Sequence, residues 1–503
     1  MDATGDLATP PRPARRLSSA WSVAVGAVAF ALMSRLPLFF TDLWAHVAYG
    51  RWTVANGIPQ TEPLMPLCRG VPMPPVDWLW NVIAYAMQTL PGGAANLVLL
   101  QAVPVAVAAF ALTLRWQRLT RSVPAALAGV AAVGWLWWEQ LIIRPQLVGM
   151  AFLAVAWLVA GGPIRRRRWS SAIAIAATFA LWANLHGSWP VGLLLLGVEW
   201  LRRPPCRREL AALIAVAAGA VCLNPHGPRL YRDVLSLAAN TGIGDLIEWR
   251  PLVETPRQRR AVVAVTTAAA AALSASRCRS WWRVALGVAL LGLTIRTSRW
   301  IVWYAPVAGE LLAVSLASMR SRSVRRGLLG PFLAMPHRRI AWATVAVAMV
   351  AAVATLPRSA RTTGVPVEAI RHLRTLAAER DATAPDLIFN RQGFGDAILW
   401  FGPRSMKPFV HSHVHLVPSP VWRDYRRAIT QPDAAGSVLD AYGCRIAVLQ
   451  RHRDGELYDA LRAGGWRLSH ADRLAVVLVR DRVPLTAAER KEPKIPAPVG
   501  KAD

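Results

Sequence analysis

Negative charge and lysine are both scarce in this chain of 503 residues. Only 29 side chains are acidic against 58 lysines and arginines, so the formal net charge is +29 at pH 7. The first lysine is Lys407, and before it arginines gather in short clusters between apolar runs. Arginine clusters in short loops are typical of membrane topology, whereas nucleic-acid binding needs a basic stripe on a folded soluble face. We therefore exclude nucleic acid as a partner.

Paired cysteines are missing as well. The chain has five cysteines, Cys68, Cys206, Cys222, Cys278 and Cys444, with neither C-x-x-C spacing nor a metal-binding pattern. This excludes a disulfide framework and a cysteine-based metal centre. The N-terminal segment lacks a clear small-residue cleavage site, so an uncleaved first span is favoured over a removed signal peptide.

Long apolar runs are what the sequence has in abundance. Hydrophobic residues make up 54 % of the chain and alternate with arginine clusters, which is the pattern of a polytopic helical membrane protein. The predicted fold class is an all-α membrane bundle over residues 19–356, with a small α/β domain after it. Its eleven spans are predicted at 19–40, 95–114, 122–138, 146–162, 170–186, 189–201, 209–223, 260–275, 281–296, 299–318 and 339–356.

One further segment, VDWLWNVIAYAMQTL at residues 76–90, either crosses the membrane or lies at its interface. With this segment at the interface and the N-terminus inside, most loop arginines fall on the cytoplasmic side. If the segment crosses, most of them fall outside. The positive-inside rule favours the first arrangement. Residues 1–18 are then a cytoplasmic tail, and residues 41–94 form the first outer loop.

After residue 357 the sequence changes from apolar blocks to short mixed segments. Strand-like runs and helical stretches alternate here, which predicts a small α/β domain over 357–482. It follows an outward span, so we expect it outside the membrane. Residues 483–503, rich in Pro, Lys and Glu, are expected to be disordered. The strands are predicted at 386–390, 407–412, 445–450 and 473–481, and the helices near 366–379, 421–430, 434–442 and 455–463.

This topology gathers unusual polar residues on the outer side. Asp42 follows the first span, and His46 lies four residues on, so the two share a helix face. A carboxylate can take a hydroxyl proton, and arginine can hold a phosphate bidentately. The pattern therefore suits transfer from a lipid-linked phosphate donor. The catalytic candidates are Asp42 and His46, and the substrate-binding candidates are Glu62, Asp77, Arg144, Asn184, His186, Asn224, His226, Arg296 and Arg299.

Each candidate also has a structural interpretation. Asp42 is also suited to cap a helix, and Arg144 to reach a carbonyl group or a lipid headgroup. The Asn-x-His-Gly repeats that contain Asn184 and Asn224 suit ordinary helix ends. Glu310, inside a span, needs either a charged partner or a water-filled cavity, and Arg296 or Arg299 is the candidate partner.

The run HSHVH contains three alternating histidines, His411, His413 and His415. On a strand they would share one face. A pocket-lining or surface row is favoured over a metal site, because no acid in the run completes a ligand set. We predict no metal site and no cofactor, and leave a divalent cation open.

The order of these parts resembles the C-type (GT-C) glycosyltransferase superfamily. In that superfamily an acid opens the outer loop after the first span, and many spans and an extracytoplasmic domain follow. More narrowly, nearly the whole chain is similar to a group of bacterial multi-span membrane proteins labelled glycosyltransferase-like. The matching segments are DLWAHVAYGRWTVANGIPQTEP, RPQLVGMAFL, WANLHGSWPVGLLLL, LNPHGPRLY, IEWRPL, FNRQGFGDAILWFG and GGWRLSHADRLAVVLVRD.

The resemblance implies a function. It implies a glycosyltransferase of the bacterial inner membrane that moves a sugar from a polyprenyl-phosphate donor to an envelope acceptor, with Asp42 as the base. Glu62 stands where the group tends to have Asp, and HSHVH replaces the group's DGRAD-like strand. The expected partners are the lipid-linked donor and membrane lipids, and the oligomeric state is not predicted. The alternative is a non-catalytic transporter or an envelope scaffold whose outer domain binds a partner.

Overall fold

The computed structural model describes residues 19–39, 42–238, 249–277, 280–319, 337–359, 362–379 and 386–480. The predicted tails at 1–18 and 483–503 lie outside these residues. In chain order the first α-helices are α1 (Ala20–Met33), α2 (Leu43–Asn56), α3 (Trp78–Thr89), α4 (Ala94–Thr120), α5 (Val123–Trp137), α6 (Gln146–Ala160), α7 (Arg168–Leu185), α8 (Trp189–Arg202), α9 (Arg207–Val221), α10 (Arg229–Ala238), α11 (Pro256–Ser274), α12 (Trp281–Arg296), α13 (Ile301–Ala317) and α14 (His337–Ser359).

Eleven of these helices, all except α2, α3 and α10, coincide with the predicted spans. A mostly helical, polytopic-type bundle is therefore confirmed. By length and composition, two segments in the described part of the chain, Ala94–Thr120 and Ser298–Ala317, suffice to cross a bilayer. The number of membrane crossings stays a prediction. Residues 76–90 do form a helix, α3, which packs on α2, α4 and α7.

Small residues let the bundle helices approach closely. α1 packs along α4 and α14, and α5 packs along α13. Where α5 and α13 cross, a Cβ atom added to Gly309 would lie 2.9 Å from the Gly129 carbonyl oxygen. A Cβ on Gly50 of α2 would lie only 1.9 Å from the Asn81 carbonyl oxygen of α3. Glycine is therefore required at both crossings, as is common where helices pack backbone to backbone.

A buried ion cluster joins four bundle helices. Arg115 donates from Nε to Glu310 (2.9 Å) and from Nη2 to Glu199 (2.9 Å). Arg283 donates to the other Glu310 oxygen at 3.0 Å, and Arg202 bonds Glu199 at 3.2 Å. The expectation that Arg296 or Arg299 pairs with Glu310 is therefore wrong. The position of Glu310 along α13 instead places its carboxylate beside the first turn of α12 and the end of α4.

We expect Glu310→Gln to destabilise the chain by about 3–5 kcal/mol, because it leaves buried arginine charge uncompensated. Glu209→Gln is the matched control: its ion pair with Arg165 is solvent-accessible, with the two side chains 27 % and 66 % exposed, and such a pair contributes about 0–1 kcal/mol. Unfolding in detergent, followed by tryptophan fluorescence, measures both. Equal stability of the two variants would show that the cluster does not hold the helices together.

The C-terminal part contains an α/β unit. Its strands are β3 (Asp386–Asn390), β4 (Met406–Pro408), β5 (Ile446–Gln450), β6 (Arg467–Ala471) and β7 (Ala475–Val479). They form one sheet in the order β4-β3-β5-β7-β6, with β3 parallel to β4 and β5, and β7 antiparallel to β5 and β6. The helices are α15 (Val367–Ala378), α16 (Gln392–Phe401), α17 (Ser419–Thr430), α18 (Pro432–Ala441) and α19 (Gly455–Ala463).

Two contacts fix this unit against the bundle. β1 (Leu38–Phe39), just after α1, pairs in parallel with β2 (Thr362–Thr363), just after α14. α16 packs on α2, where the Trp44 and Phe401 ring centroids are 4.6 Å apart. The C-terminal unit is thereby held over the segment that begins at Asp42.

Candidate functional site

A cavity of about 330 Å³ lies between the bundle and the C-terminal unit. Segments that are distant in sequence meet at its wall. Six of the sequence candidates line it: Asp42, His46, Asp77, Arg144, His186 and Arg299. The C-terminal unit adds Ser412, His413 and His415, and apolar side chains such as Met73, Val76 and Val234 complete the lining.

Asp42 stands immediately before α2, and its side chain makes no capping hydrogen bond to that helix. Its Oδ2 instead lies 3.4 Å from Nε of Arg144, the residue before the Pro145–Gln146 start of α6. The capping interpretation of Asp42 therefore finds no support in the structure. A carboxylate and a guanidinium face the same cavity as an ion pair.

His46, one turn into α2, lies between two carboxylates. Its Nδ1 is 2.6 Å from the Asn81 amide oxygen and 3.7 Å from Asp77 Oδ2, and its Nε2 is 4.0 Å from Asp42 Oδ2. Since an amide oxygen only accepts, Nδ1 of His46 carries the proton in this bond. In the neutral ring Nε2 then keeps its lone pair. Burial raises the pKa of the Asp77 carboxyl above its ordinary value, and the charge of His46 opposes that effect.

The histidines of HSHVH lie beyond the observed strand, which is shorter than the strand predicted at 407–412. β4 ends at Pro408, so His411, His413 and His415 belong to the loop that follows and do not share a strand face. The His413 ring stacks on Tyr49, with centroids 5.1 Å apart and planes at 12°, and lies 5.1 Å from the His46 ring. Burial lowers the pKa of His415 to about 4 and that of His413 well below its usual range, so both rings are neutral at pH 7.

Glu62 lies outside the cavity wall and holds a hydrogen-bond chain that docks this loop. The His413 backbone N–H donates to His411 Nδ1 (2.9 Å), so His411 donates from Nε2 to the Tyr49 hydroxyl (3.0 Å). Tyr49 in turn donates to Glu62 Oε2 at 2.6 Å. The backbone N–H groups of Leu64 and Met65 bond the other Glu62 oxygen. Both oxygens of the Glu62 carboxylate therefore already accept hydrogen bonds from the protein.

Solved structures with the same arrangement of elements exist. No family model and no curated protein matches the chain. ArnT from Cupriavidus metallidurans bound to undecaprenyl phosphate superposes with a TM-score of 0.53 at 14 % identity, over 93 % of this chain and 98 % of ArnT. This chain has the GT-C fold. The same ArnT in the apo state gives a TM-score of 0.50 at 15 % identity, with the same coverage.

Within this GT-C fold, four sequence candidates other than Glu62 are not brought into the cavity. Asn184 accepts from Trp78 Nε1 at 2.6 Å, and Asn224 donates to the carbonyl oxygens of Pro75 and Ala183, both at 2.9 Å. The two asparagines thus fix the entry to α3 behind the wall.

The other two lie further out. His226 bonds Asp233 at 2.7 Å and Gln60 at 3.2 Å. Arg296 is exposed at the end of α12, whereas Arg299, three residues on, lines the cavity and stacks over Trp249 at 5.2 Å. Of the two arginines, only Arg299 therefore joins Arg144.

Asp396 of α16 is a buried acid that is not among the candidates predicted from the sequence. Its Oδ1 accepts from the backbone N–H and the hydroxyl of Ser412, both at 3.0 Å. A Cβ on the preceding Gly395 would lie 2.1 Å from the Val410 carbonyl oxygen, so glycine lets the histidine loop approach α16. The Gly-Asp pair in FNRQGFGDAILWFG was the available signal. Burial raises the pKa of Asp396 to about 8.

This shifted pKa predicts a pH dependence of stability. The folded chain holds the Asp396 proton up to about pH 8, whereas the unfolded chain releases it near pH 4. The folded state binds more protons between these values, so the free energy of unfolding falls as pH rises through this window. Asp396→Asn keeps Oδ1 and removes the titration. We expect its melting temperature in detergent, relative to wild type, to rise from pH 5 to pH 8. A difference in melting temperature between Asp396→Asn and wild type that stays constant with pH would contradict this expectation. The control is Asp433→Asn, at an exposed site on α18.

Proposed function

We propose that the chain is an integral membrane glycosyltransferase. It moves a sugar from a polyprenyl-phosphate donor to an envelope acceptor at the outer face of the bacterial inner membrane. The observation that carries the proposal is that Asp42, Arg144 and Arg299, far apart in sequence, line one cavity. The fold shared with ArnT, whose structure holds undecaprenyl phosphate, supports it.

The cavity residues have distinct roles in this proposal. Arg144 and Arg299 bind the donor phosphate, which competes with Asp42 for the Arg144 guanidinium. Asp42, released from that pair, takes the proton of the acceptor hydroxyl as its oxygen attacks the anomeric carbon. The bond from that carbon to the phosphate oxygen breaks, and the phosphate leaves with the electron pair, stabilised by the two arginines.

A lipid tail also has a surface to occupy. An apolar groove of about 420 Å³ runs between α1 and α14, with Ala31, Ala348 and Val347 among its lining residues and Arg35 as its one charged side chain. Arg35 lies seven residues before Asp42. A prenyl chain beside these helices would bring its phosphate toward the cavity end of the bundle.

The proposed topology has eleven spans, a cytoplasmic N-terminus, α3 at the interface, and residues 357–482 outside. Reporter fusions test it. A fusion after Arg121 is expected to be active only with a cytoplasmic reporter, and a fusion after Leu356 only with an extracytoplasmic one. The opposite pattern at Leu356 would place the C-terminal unit inside and end the proposal of an outward-facing site.

Reconstitution tests the activity itself. Purified chain in proteoliposomes is given labelled polyprenyl-phosphate sugars and a cell-envelope extract as acceptor, and transfer is followed by chromatography of the products. Transfer that requires the lipid-linked donor supports the enzyme. Movement of intact label across the bilayer without transfer would favour the transporter instead.

A further inference from the structure

Two arginines converge at the end of the bundle opposite the cavity. Arg202 is the last residue of α8, and Arg283 lies in the first turn of α12. α8 begins just after Ser188 and α12 leads to Arg299, both of which line the cavity. Helices of this length put the arginines about 20 Å from it. We propose that Arg202 and Arg283 bind the phosphate of an anionic phospholipid, which under the proposed topology belongs to the cytoplasmic leaflet.

The two guanidinium groups are held side by side. Cζ of Arg202 lies 4.6 Å, and Cζ of Arg283 lies 4.4 Å, from the centroid of the Trp282 ring. Both also approach the same oxygen, Oε1 of Glu310, which is 3.9 Å from Nη1 of Arg202 and 3.0 Å from Nε of Arg283. Stacking on one indole and a shared carboxylate therefore bring both groups within reach of one phosphate.

The pair still has N–H groups to donate. Arg202 approaches Glu199 and Glu310 with Nη1 alone. Arg283 donates from Nε to Glu310 and from Nη1 to Ser280. Among the described residues, nothing accepts a hydrogen bond from Nε or Nη2 of Arg202 or from Nη2 of Arg283. Since the two side chains are 13 % and 12 % exposed, these groups can be reached from the surface of the bundle.

The charge balance of the buried ion cluster favours an anion. Arg115, Arg202 and Arg283 bring three positive charges to the two carboxylates of Glu199 and Glu310. One positive charge is left over, and a charge at membrane depth needs a partner. The phosphodiester of a phospholipid carries the single negative charge that balances it.

The surface beside the arginines is apolar, which favours a lipid over a free phosphate ion. Trp281, Val288 and Ile295 are 78 %, 63 % and 55 % exposed. They recur every seven residues, so they lie on one face of α12. In a bilayer this face meets acyl chains, while Arg283 at its end meets the headgroup. Basic pockets between membrane helices at the cytoplasmic side bind anionic headgroups in this way.

Lipid binding to the purified, delipidated full-length chain tests the proposal by native mass spectrometry in detergent. Phosphatidylglycerol is expected to bind saturably, and more tightly than phosphatidylcholine or inorganic phosphate. Arg202→Gln is expected to weaken phosphatidylglycerol binding about tenfold, the usual effect of losing a hydrogen bond to a charged group. Two arginines then remain for two glutamates, so the variant is expected to fold, and its melting temperature without lipid checks this.

The matched control is Arg207→Gln, which removes an exposed arginine that stacks on Trp200 at 5.1 Å. It is expected to bind phosphatidylglycerol as wild type does. Trp282→Leu keeps every ion pair but removes the ring between the two guanidinium groups, and it is expected to weaken binding as well. Wild-type affinity in both Arg202→Gln and Trp282→Leu overturns the proposal, and so does inorganic phosphate that binds as tightly as the lipid.

A cavity variant shows where the lipid binds. Arg144→Gln removes a cavity arginine and is expected to leave phosphatidylglycerol binding unchanged, because the two sites lie at opposite ends of the bundle. Loss of binding in this variant would assign the lipid to the cavity and overturn the proposal. None of these readouts needs transferase activity, so this inference and the proposed function can fail separately.

Discussion

Asp42→Asn is expected to lower the rate of sugar transfer by about 10²–10⁴-fold while the chain stays folded. Asparagine has the shape of aspartate but cannot take the acceptor proton. Transfer from a labelled polyprenyl-phosphate sugar in proteoliposomes measures the effect. The loss is expected in kcat more than in KM, because the proton moves only as the acceptor attacks.

The control is Asp433→Asn, which removes an exposed carboxylate of α18 that does not line the cavity. It is expected to transfer sugar at the wild-type rate. If Asp42→Asn also keeps the wild-type rate, Asp42 is not the base. The ion pair with Arg144 would then be a structural contact.

Arg144→Gln is expected to lower kcat by about 10²–10³-fold, the usual effect of removing one donor that stabilises developing negative charge. Arg144→Lys is expected to recover only part of the rate, since lysine keeps the charge but not the bidentate geometry. Steady-state kinetics with the lipid-linked donor separate the effect on kcat from that on donor KM.

Arg296 offers a matched control, because it lies three residues from Arg299 but is exposed outside the cavity. Arg299→Gln is expected to weaken donor use, and Arg296→Gln is expected to leave it unchanged. Equal losses in both variants would mean that general surface charge, rather than the cavity arginines, attracts the donor.

Local pattern accounts for most of the helices. Apolar runs between arginine clusters located all eleven bundle helices, because burial or lipid contact demands continuous hydrophobicity. β6 was missed because its residues Arg467–Ala471 are mostly exposed and carry no apolar alternation. α16 was missed because GFGD places two glycines in its first turn, which lowers helix propensity.

Long-range pairing accounts for what the sequence could not predict. Glu310 meets Arg115, which is 195 residues away, and the match depends on the depth of each side chain along its helix. The histidine loop reaches the cavity only because Tyr49, 362 residues before His411, receives it. By contrast, one topological argument put six cavity residues on the same side of the membrane, so they could be proposed together. These residues are Asp42, His46, Asp77, Arg144, His186 and Arg299.

The cavity is assembled from opposite ends of the chain, and this sets the order in which it can mature. Asp42 is made early and His413 late in synthesis, with the whole bundle between them. Contacts of such separation form last, since the intervening helices must first be in place. A nascent or prematurely terminated polypeptide would contain Asp42 and the cavity arginines but would lack the C-terminal unit that covers them. Under the proposed function, the site is therefore complete only once the C-terminal unit has been made.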